Sequence, residues 1–187
     1  MKISPQSDCK WDYRGTSLSV LLTSDEGITY MCETHYSISD LLDRPESGTS
    51  FCIQDATLLT NYLEGLSKIN LDDSSCLDLG LNALACERFV RPSVPCSRYF
   101  FRTQGQKFKF NCGDVVSIYS KSGNIADCLV LEECDADYVT RLMLLNPAFQ
   151  FSSYEGRRCK LGGMIRVNPE CVCAFRKYDA QGVVRYA

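Results

Sequence analysis

Residues 75–101 read SCLDLGLNALACERFVRPSVPCSRYFF, and the pattern of apolar residues changes in the middle of this segment. Before residues 91–95 (RPSVP), apolar side chains recur every three or four positions, which is the spacing of one helix face. After these residues the period becomes two, which is typical of strands. The prolines end the helix. The pattern therefore predicts an α+β protein with a hairpin plus helical region over 1–95 and a β-barrel region over 96–187, or a single compact domain over 1–187.

The region before the prolines is predicted to form a β-hairpin followed by two amphipathic helices. Residues 17–22 (SLSVLL) and 28–32 (ITYMC) are β-rich runs separated by a turn that ends in Gly27. A helix over about 54–69, with Asp55 as its predicted N-cap, carries one apolar stripe. The second helix covers about residues 75–90 and takes its caps from the preceding DDSS segment.

The region after the prolines contains several short β-type runs separated by turn residues. The predicted strands lie at 99–101, 108–110, 115–119, 126–132, 138–145, 164–167, 171–178 and 183–186. So many short strands in close succession indicate a small barrel or sandwich. We therefore predict a C-terminal antiparallel β-barrel of five or more strands, with the hairpin and the helices packed on it.

The chain has 12 cysteines and a single histidine, His35. Several cysteines have the neighbours of core residues, and free cysteine is among the most buried residue types. These are Cys32, Cys52, Cys86, Cys128, Cys171 and Cys173. We predict reduced thiols that pack in an apolar interior, inside a cell. Disulfides and a bound metal are the alternatives.

Two short motifs are weak candidates for metal ligation. Cys32 and His35 have the spacing of a zinc half-site, and Cys171 with Cys173 could supply two more thiolates. Neither motif has the glycine-marked turn of a zinc knuckle. A cysteine- or serine-based catalytic site would have to use His35, and no known nucleophile motif accompanies it. We therefore predict no enzymatic activity and no cofactor, with a thiol or zinc-dependent enzyme using Cys32 and His35 as an alternative.

Charge and hydropathy exclude other classes. The net charge is −3, with 20 basic and 23 acidic residues interspersed, so direct nucleic-acid binding is not expected. No stretch approaches the roughly 20 apolar residues of a membrane helix. The first 25 residues lack the layout of a signal peptide. An intracellular location, in the nucleus or the cytoplasm, is expected.

Two sets of residues are candidates for binding a partner. Aromatic side chains that could line a pocket follow the prolines, namely Tyr99, Phe101 and Tyr119. Acidic side chains that would attract a basic peptide lie in a predicted hairpin tip, namely Glu132, Glu133, Asp135 and Asp137. We predict a non-catalytic protein-interaction module of a larger assembly, which binds through a barrel face or an exposed strand edge. A structural subunit of a virion or organelle complex is the alternative.

The β region also resembles a known family. Residues 111–118 (NCGDVVSI) resemble the Gly-Asp-aliphatic opening strand of bromo-adjacent homology (BAH) domains, and 125–132 (IADCLVLE) resemble their second strand. Residues 163–172 (GMIRVNPECV) are similar to the closing strands, whereas LLNPAF at 144–149 replaces the usual aromatic-Arg-Pro segment. The resemblance covers about residues 98–187. It implies a chromatin-associated module that binds a histone or another basic peptide.

Overall fold

The computed structural model describes residues 8–24, 26–90, 100–105, 109–132, 139–146, 148–150, 158–178 and 184–186. The chain divides into two compact units. The first consists of Met1–Glu64 and Leu71–Arg91, and the second of Gly65–Asn70 and Pro92–Ala187. The domain boundary between residues 95 and 96 remains a prediction.

The first unit contains a four-stranded antiparallel sheet with strand order β3-β2-β1-β4, and helices follow it in the chain. The elements are β1 (Cys9–Arg14), β2 (Ser17–Thr23), β3 (Thr29–Ser37), a 3-10 turn (Ile38–Asp40), β4 (Thr49–Ser50), α1 (Ile53–Leu66) and α2 (Asp73–Phe89). The last two residues of α1 belong to the second unit. The predicted hairpin is present as β2 and β3. Its turn requires a left-handed residue, and Gly27 supplies it with φ of 76°.

The two helices lie where the apolar periodicity places them, but their caps differ in detail. At the start of α2, the Asp72 carboxylate accepts a hydrogen bond from the Ser75 N–H at 2.9 Å, as an N-cap does. The predicted N-cap of α1, Asp55, is wrong by three positions. Asp55 lies inside the first turn and accepts the N–H of Cys52 at 3.0 Å, which is the reciprocal half of a capping box.

Aromatic packing and one buried carboxylate hold the first unit together. The ring of Trp11, on β1, lies 4.6 Å from that of Phe51 and meets that of Phe89 edge-on at 4.8 Å. The indole N–H of Trp11 donates to Asp55 at 3.4 Å. Asp55 also pairs with the Arg88 guanidinium at 2.8 Å. These contacts join β1, α1 and α2. Since a buried charge is stable only when it is paired, the Asp55 carboxylate requires all three elements in place.

The second unit contains a five-stranded antiparallel sheet with strand order β10-β7-β6-β5-β11. Its strands are β5 (Val115–Tyr119), β6 (Ile125–Glu132), β7 (Thr140–Leu144), β10 (Met164–Val167) and β11 (Val172–Ala174). β8 (Ala148–Gln150) pairs with β9 (Arg158–Lys160), and β12 (Arg176–Tyr178) pairs with β13 (Val184–Tyr186). One face of the large sheet forms an apolar core that includes Val116, Val130, Leu142 and Ile165.

The structure confirms an α+β protein with two helices and antiparallel sheets, but the predicted closed barrel is wrong. Among the described residues, β10 and β11 are the two outer strands of the large sheet and do not pair with each other. A 3-10 turn, Pro169–Cys171, separates them, and β11 then pairs with β5 instead. The alternation of apolar and polar residues that predicted a barrel shows which face of each strand is buried. Strands of open and closed sheets have the same alternation, so it does not distinguish the two.

Candidate functional site

The outer edge of β3 is the most prominent candidate surface of the first unit. β3 is the last strand of its sheet, and no strand in the described part of the chain pairs with its outer side. The C-terminal half of this side is covered by α2, where the His35 N–H donates to the Asn82 side-chain oxygen at 2.7 Å. Among the described residues, no comparable hydrogen bond from α2 reaches the backbone of the N-terminal half, Thr29–Glu33. We call this stretch the open edge.

The hydrogen bonds of the hairpin show which backbone groups the open edge presents. The N–H of Ser24 donates to the carbonyl of Ile28 at 2.8 Å, so Ile28 directs its carbonyl toward β2. Along an antiparallel strand, the N–H and C=O groups of successive residues point alternately to one side of the strand and to the other. Tyr30 and Cys32 therefore bond to β2, and the alternate residues, Thr29, Met31 and Glu33, turn their N–H and C=O groups outward.

Apolar side chains accompany these backbone groups. Tyr30 is 47% exposed, Met31 41% and the adjacent Ile28 47%. Tyr30 lies opposite Leu22 and Met31 opposite Leu21, so the two side chains project to opposite faces of the sheet. Single exposed apolar residues are ordinary, but three within four positions on an outer strand make this stretch a candidate contact surface.

The charges around the open edge are mostly negative. Glu26, Glu33 and Asp78 are exposed carboxylates in the turn, on the strand and on the facing helix. The Arg14 guanidinium lies 3.8 Å from the Glu33 carboxylate, with both side chains largely in solvent. Such an exposed pair is worth at most about 1 kcal/mol, so it leaves Glu33 available to another cation.

The aromatic residues predicted to bind a partner have different environments. Phe101 is buried in the core of the second unit, and its ring stacks on that of Phe149 with centroids 6.5 Å apart. Tyr119 is half-buried at the end of β5. Tyr99 lies outside the described residues. The structure does not bring this set together on a surface, and its binding role remains a prediction.

The predicted acidic cluster is described at one position only. Glu132 ends β6 and pairs with the Arg141 guanidinium at 2.7 Å, so its charge is already compensated within the sheet. Glu133, Asp135 and Asp137 lie outside the described residues. The attraction of a basic peptide to this segment therefore stays a prediction.

No group of three or more histidine, cysteine, aspartate or glutamate side chains is placed to hold a metal ion in the part of the chain that the structure describes. Cys171 is buried in the core, and the Cys173 thiol donates to the Ser117 carbonyl at 3.0 Å. His35 lies 4.0 Å from Asp78. Burial, reinforced by Asp78, raises the pKa of Cys32 and so disfavours its thiolate. The binding of a zinc ion by these residues remains a prediction.

The ten cysteines that the structure describes are free thiols. Cys86, Cys128 and Cys171 are buried as predicted, and Cys32 and Cys173 are half-buried. Burial raises the pKa of the buried Cys9 thiol to about 12. The predicted burial of Cys52 is wrong, because the chain turns from β4 into α1 there and buries the neighbouring Phe51 instead.

Sequence reasoning missed the open edge. The ITYMC run was assigned to the hairpin correctly, but an apolar strand reads the same whether or not another strand covers it. The weak alternation of its apolar residues was the available signal, since Tyr30 and Met31 are adjacent and must face opposite sides.

These features define a class of protein: a small α+β chain of two compact units that presents a free, apolar strand edge. No helix in the described ranges has the length and apolar character needed to cross a bilayer. Residues 2–91 match the family model described as Cell-division protein ZapC, N-terminal. This match covers the elements that build the open edge.

Curated relatives extend the match. The chain is 30% identical over 135 residues to the cell division protein ZapC of Shewanella woodyi, which covers 71% of each chain. It is 26% identical over 159 residues to that of Photobacterium profundum, covering 84% of this chain and 86% of the relative. With the protein of Musicola paradisiaca it shares 29% identity over 100 residues, about half the length of that relative (53%). The chain belongs to the cell division protein ZapC family.

This membership corrects several predictions and confirms one. The resemblance to BAH domains is wrong, because a Gly-Asp-aliphatic strand is common to many small β folds. The predicted chromatin and histone-binding role is therefore also wrong, and so is the alternative of a structural subunit of a virion or organelle complex. A nuclear location is wrong, since the relatives are bacterial. The prediction that the chain is not an enzyme is confirmed, and the alternative of an enzyme using Cys32 and His35 is wrong.

Proposed function

We propose that this chain is a protein-interaction component of the bacterial cell-division apparatus and works in the cytoplasm by binding another division protein. The single observation that carries the proposal is the family match over residues 2–91, because these residues form the elements around the open edge. The described surface supports the proposal, since a free strand edge with exposed apolar side chains is a common way for one protein to receive another.

The composition of the chain supports a protein partner over the other kinds. Its basic residues are interspersed with acidic ones and its net charge is −3, whereas a nucleic-acid binder concentrates positive charge. Binding to membranes through an amphipathic helix would need a basic polar face. The polar side of α2 carries Asp73 and Asp78 in its exposed positions. We therefore propose no direct contact with nucleic acid or lipid.

Localisation in dividing cells tests the proposal. A fluorescent fusion of the chain is expressed at native level in the bacterium that encodes it, with the fluorescent protein alone as control. We expect the fusion to concentrate at the site of constriction during division, while the control stays uniform. Deletion of the gene should lengthen the cells, and expression of the fusion should restore their length. A fusion that remains uniform through division, in cells of unchanged length after deletion, would contradict the proposal.

A further inference from the structure

We propose that the open edge of β3, Thr29–Glu33, receives an extended, basic segment of the partner protein as an additional strand of the sheet. The inference rests on the proposed function and goes further by naming the surface, the binding mode and the chemistry of the partner segment. Three independent features of the first unit carry it: the direction of backbone groups, the exposed side chains and the charges.

Backbone groups supply the first argument. Thr29, Met31 and Glu33 each direct one N–H and one C=O away from β2, as the hydrogen-bond pattern of the hairpin requires. Backbone groups of this kind are satisfied by water or by an added strand. Further along β3, the backbone N–H of His35 already donates to the side-chain oxygen of Asn82. An incoming strand can therefore pair only with the N-terminal half of β3.

Exposed side chains supply the second argument. Tyr30 and Met31 project to opposite faces of the sheet and are both more than 40% exposed. Each would lie beside alternate side chains of an added strand, where aromatic and aliphatic pairs stabilise the pairing. The open edge also lacks the lysine or proline with which many proteins protect a free strand, because its sequence is TYMCE.

Charge supplies the third argument and selects the partner. Glu26, Glu33 and Asp78 are exposed carboxylates in the turn, on β3 and on α2, whereas Arg14 is paired with Glu33 and Lys10 lies two strands away from Met31 in the same register row. An acidic segment would be repelled, whereas lysine or arginine side chains would be attracted and oriented. A second copy of this chain would bring the same acidic set to the edge, so charge favours a different protein.

The test uses two proline variants that differ in which hydrogen bonds they remove. Met31→Pro deletes an N–H that points away from β2, and proline is tolerated at the solvent side of an edge strand. Ile53→Pro is the matched control. Ile53 is an exposed apolar residue, 70% accessible, at the first position of α1, where proline is favoured. Circular dichroism of both purified variants checks that they fold.

Binding is measured by crosslinking in dividing cells. A benzoyl-phenylalanine replaces Tyr30 in the full chain, and the crosslinked peptide is sequenced by mass spectrometry. We expect an adduct with a segment of a division protein that contains lysine or arginine. Its yield should fall about tenfold in the Met31→Pro background, the effect of losing one or two main-chain hydrogen bonds. The yield should be unchanged in the Ile53→Pro background.

Each other outcome overturns the inference. These outcomes are the lack of any adduct, an adduct that persists with Met31→Pro, an acidic crosslinked segment, and a crosslink to a second copy. If Met31→Pro fails to fold, Glu33→Lys decides, because charge reversal should lower the adduct yield while Glu33→Gln lowers it less. The same strains carry the fluorescent fusion. If the fusion reaches the division site but the adduct yield is unchanged by Met31→Pro, this inference alone is wrong. If the fusion never reaches that site, the proposed function is wrong.

Discussion

β3 and β6 are both apolar strands of antiparallel sheets, yet they lie in opposite environments. β6 lies between β5 and β7, and Leu129, Val130 and Leu131 are buried on both of its faces. β3 is an outer strand, and Tyr30 and Met31 remain in solvent. Position in a sheet, more than apolar content, therefore decides whether a strand is buried in the fold or stays available for binding.

The largest effect is expected at the centre of β6. Leu129→Ala removes a fully buried side chain and leaves a cavity, so the free energy of unfolding should fall by about 3 kcal/mol. Urea denaturation followed by circular dichroism measures it. A loss below about 1 kcal/mol would mean that β6 is less tightly packed than its burial indicates.

A close backbone approach beside β6 gives the next effect. A Cβ on Gly65, near the end of α1, would overlap the carbonyl oxygen of Gly113 and contact Leu129. Helix propensity alone predicts that Gly65→Ala stabilises by about 1 kcal/mol. We expect instead a loss of about 2 kcal/mol, because backbone atoms cannot move aside as side chains do.

Gly80→Ala is the control for this prediction. The added methyl group would meet the flexible end of Leu63 at 3.0 Å, so the side chain can shift and the change in unfolding free energy should be clearly smaller. Equal losses in both glycine variants, measured by the same urea titration, would refute the distinction.

A carboxylate on β6 is expected to give a smaller, pH-dependent effect. Burial raises the pKa of Asp127 above its usual value near 3.8, although a hydrogen bond from Ser117 opposes the shift. The folded state therefore favours the protonated form, and this contribution to stability is present below pH 3.8 and lost as pH rises through the folded pKa. Stability of Asp127→Asn relative to the parent should therefore increase as pH rises through this range, measured by urea titrations at each pH.

Asp12→Asn is the control with the opposite sign. The hydrogen bond from Ser47 lowers the pKa of Asp12, so its carboxylate stabilises the fold above pH 3.8 and that contribution disappears as pH falls. Relative to the parent, this variant should therefore lose stability as pH rises toward 3.8, whereas the effect of Asp127→Asn develops above 3.8. Parallel trends in the two variants would contradict the assigned causes.

The smallest effect on stability is expected at the open edge. Met31→Ser replaces an exposed side chain on an outer strand, so the unfolding free energy should change by less than about 0.5 kcal/mol. The same variant should weaken the crosslink at residue 30. A large loss of stability would show that Met31 is part of the core, and the contrast between β3 and β6 would then disappear.

Local signals of the sequence predicted much of the first unit. The caps in residues 72–75, the apolar stripes of the helices and the glycine of the hairpin turn act within a few residues, and the structure contains the two helices and the hairpin. Asp55 was misplaced as a cap because its partners Trp11 and Arg88 are distant in the chain and hold it inside the helix.

The candidate site was harder to predict than the elements around it. Tyr30 and Met31 are of residue types common in buried strands, yet both are exposed, and no strand in the described part of the chain pairs with the outer side of β3. Phe101 has the same kind of sequence context but packs on Phe149, 48 positions away, in the core. A single strand carries no information about which other strand will cover it.

The class of fold, the two helices and the hairpin could be read from the chain alone, because they follow from periodicity, turn residues and composition. Three-dimensional contacts were needed to show that Cys52 is exposed and that, among the described residues, the large sheet is open and no strand pairs with the outer side of β3 at Thr29–Glu33. These properties depend on contacts between residues far apart in the chain. Their free energy comes from burial after folding, so no local pattern reports it.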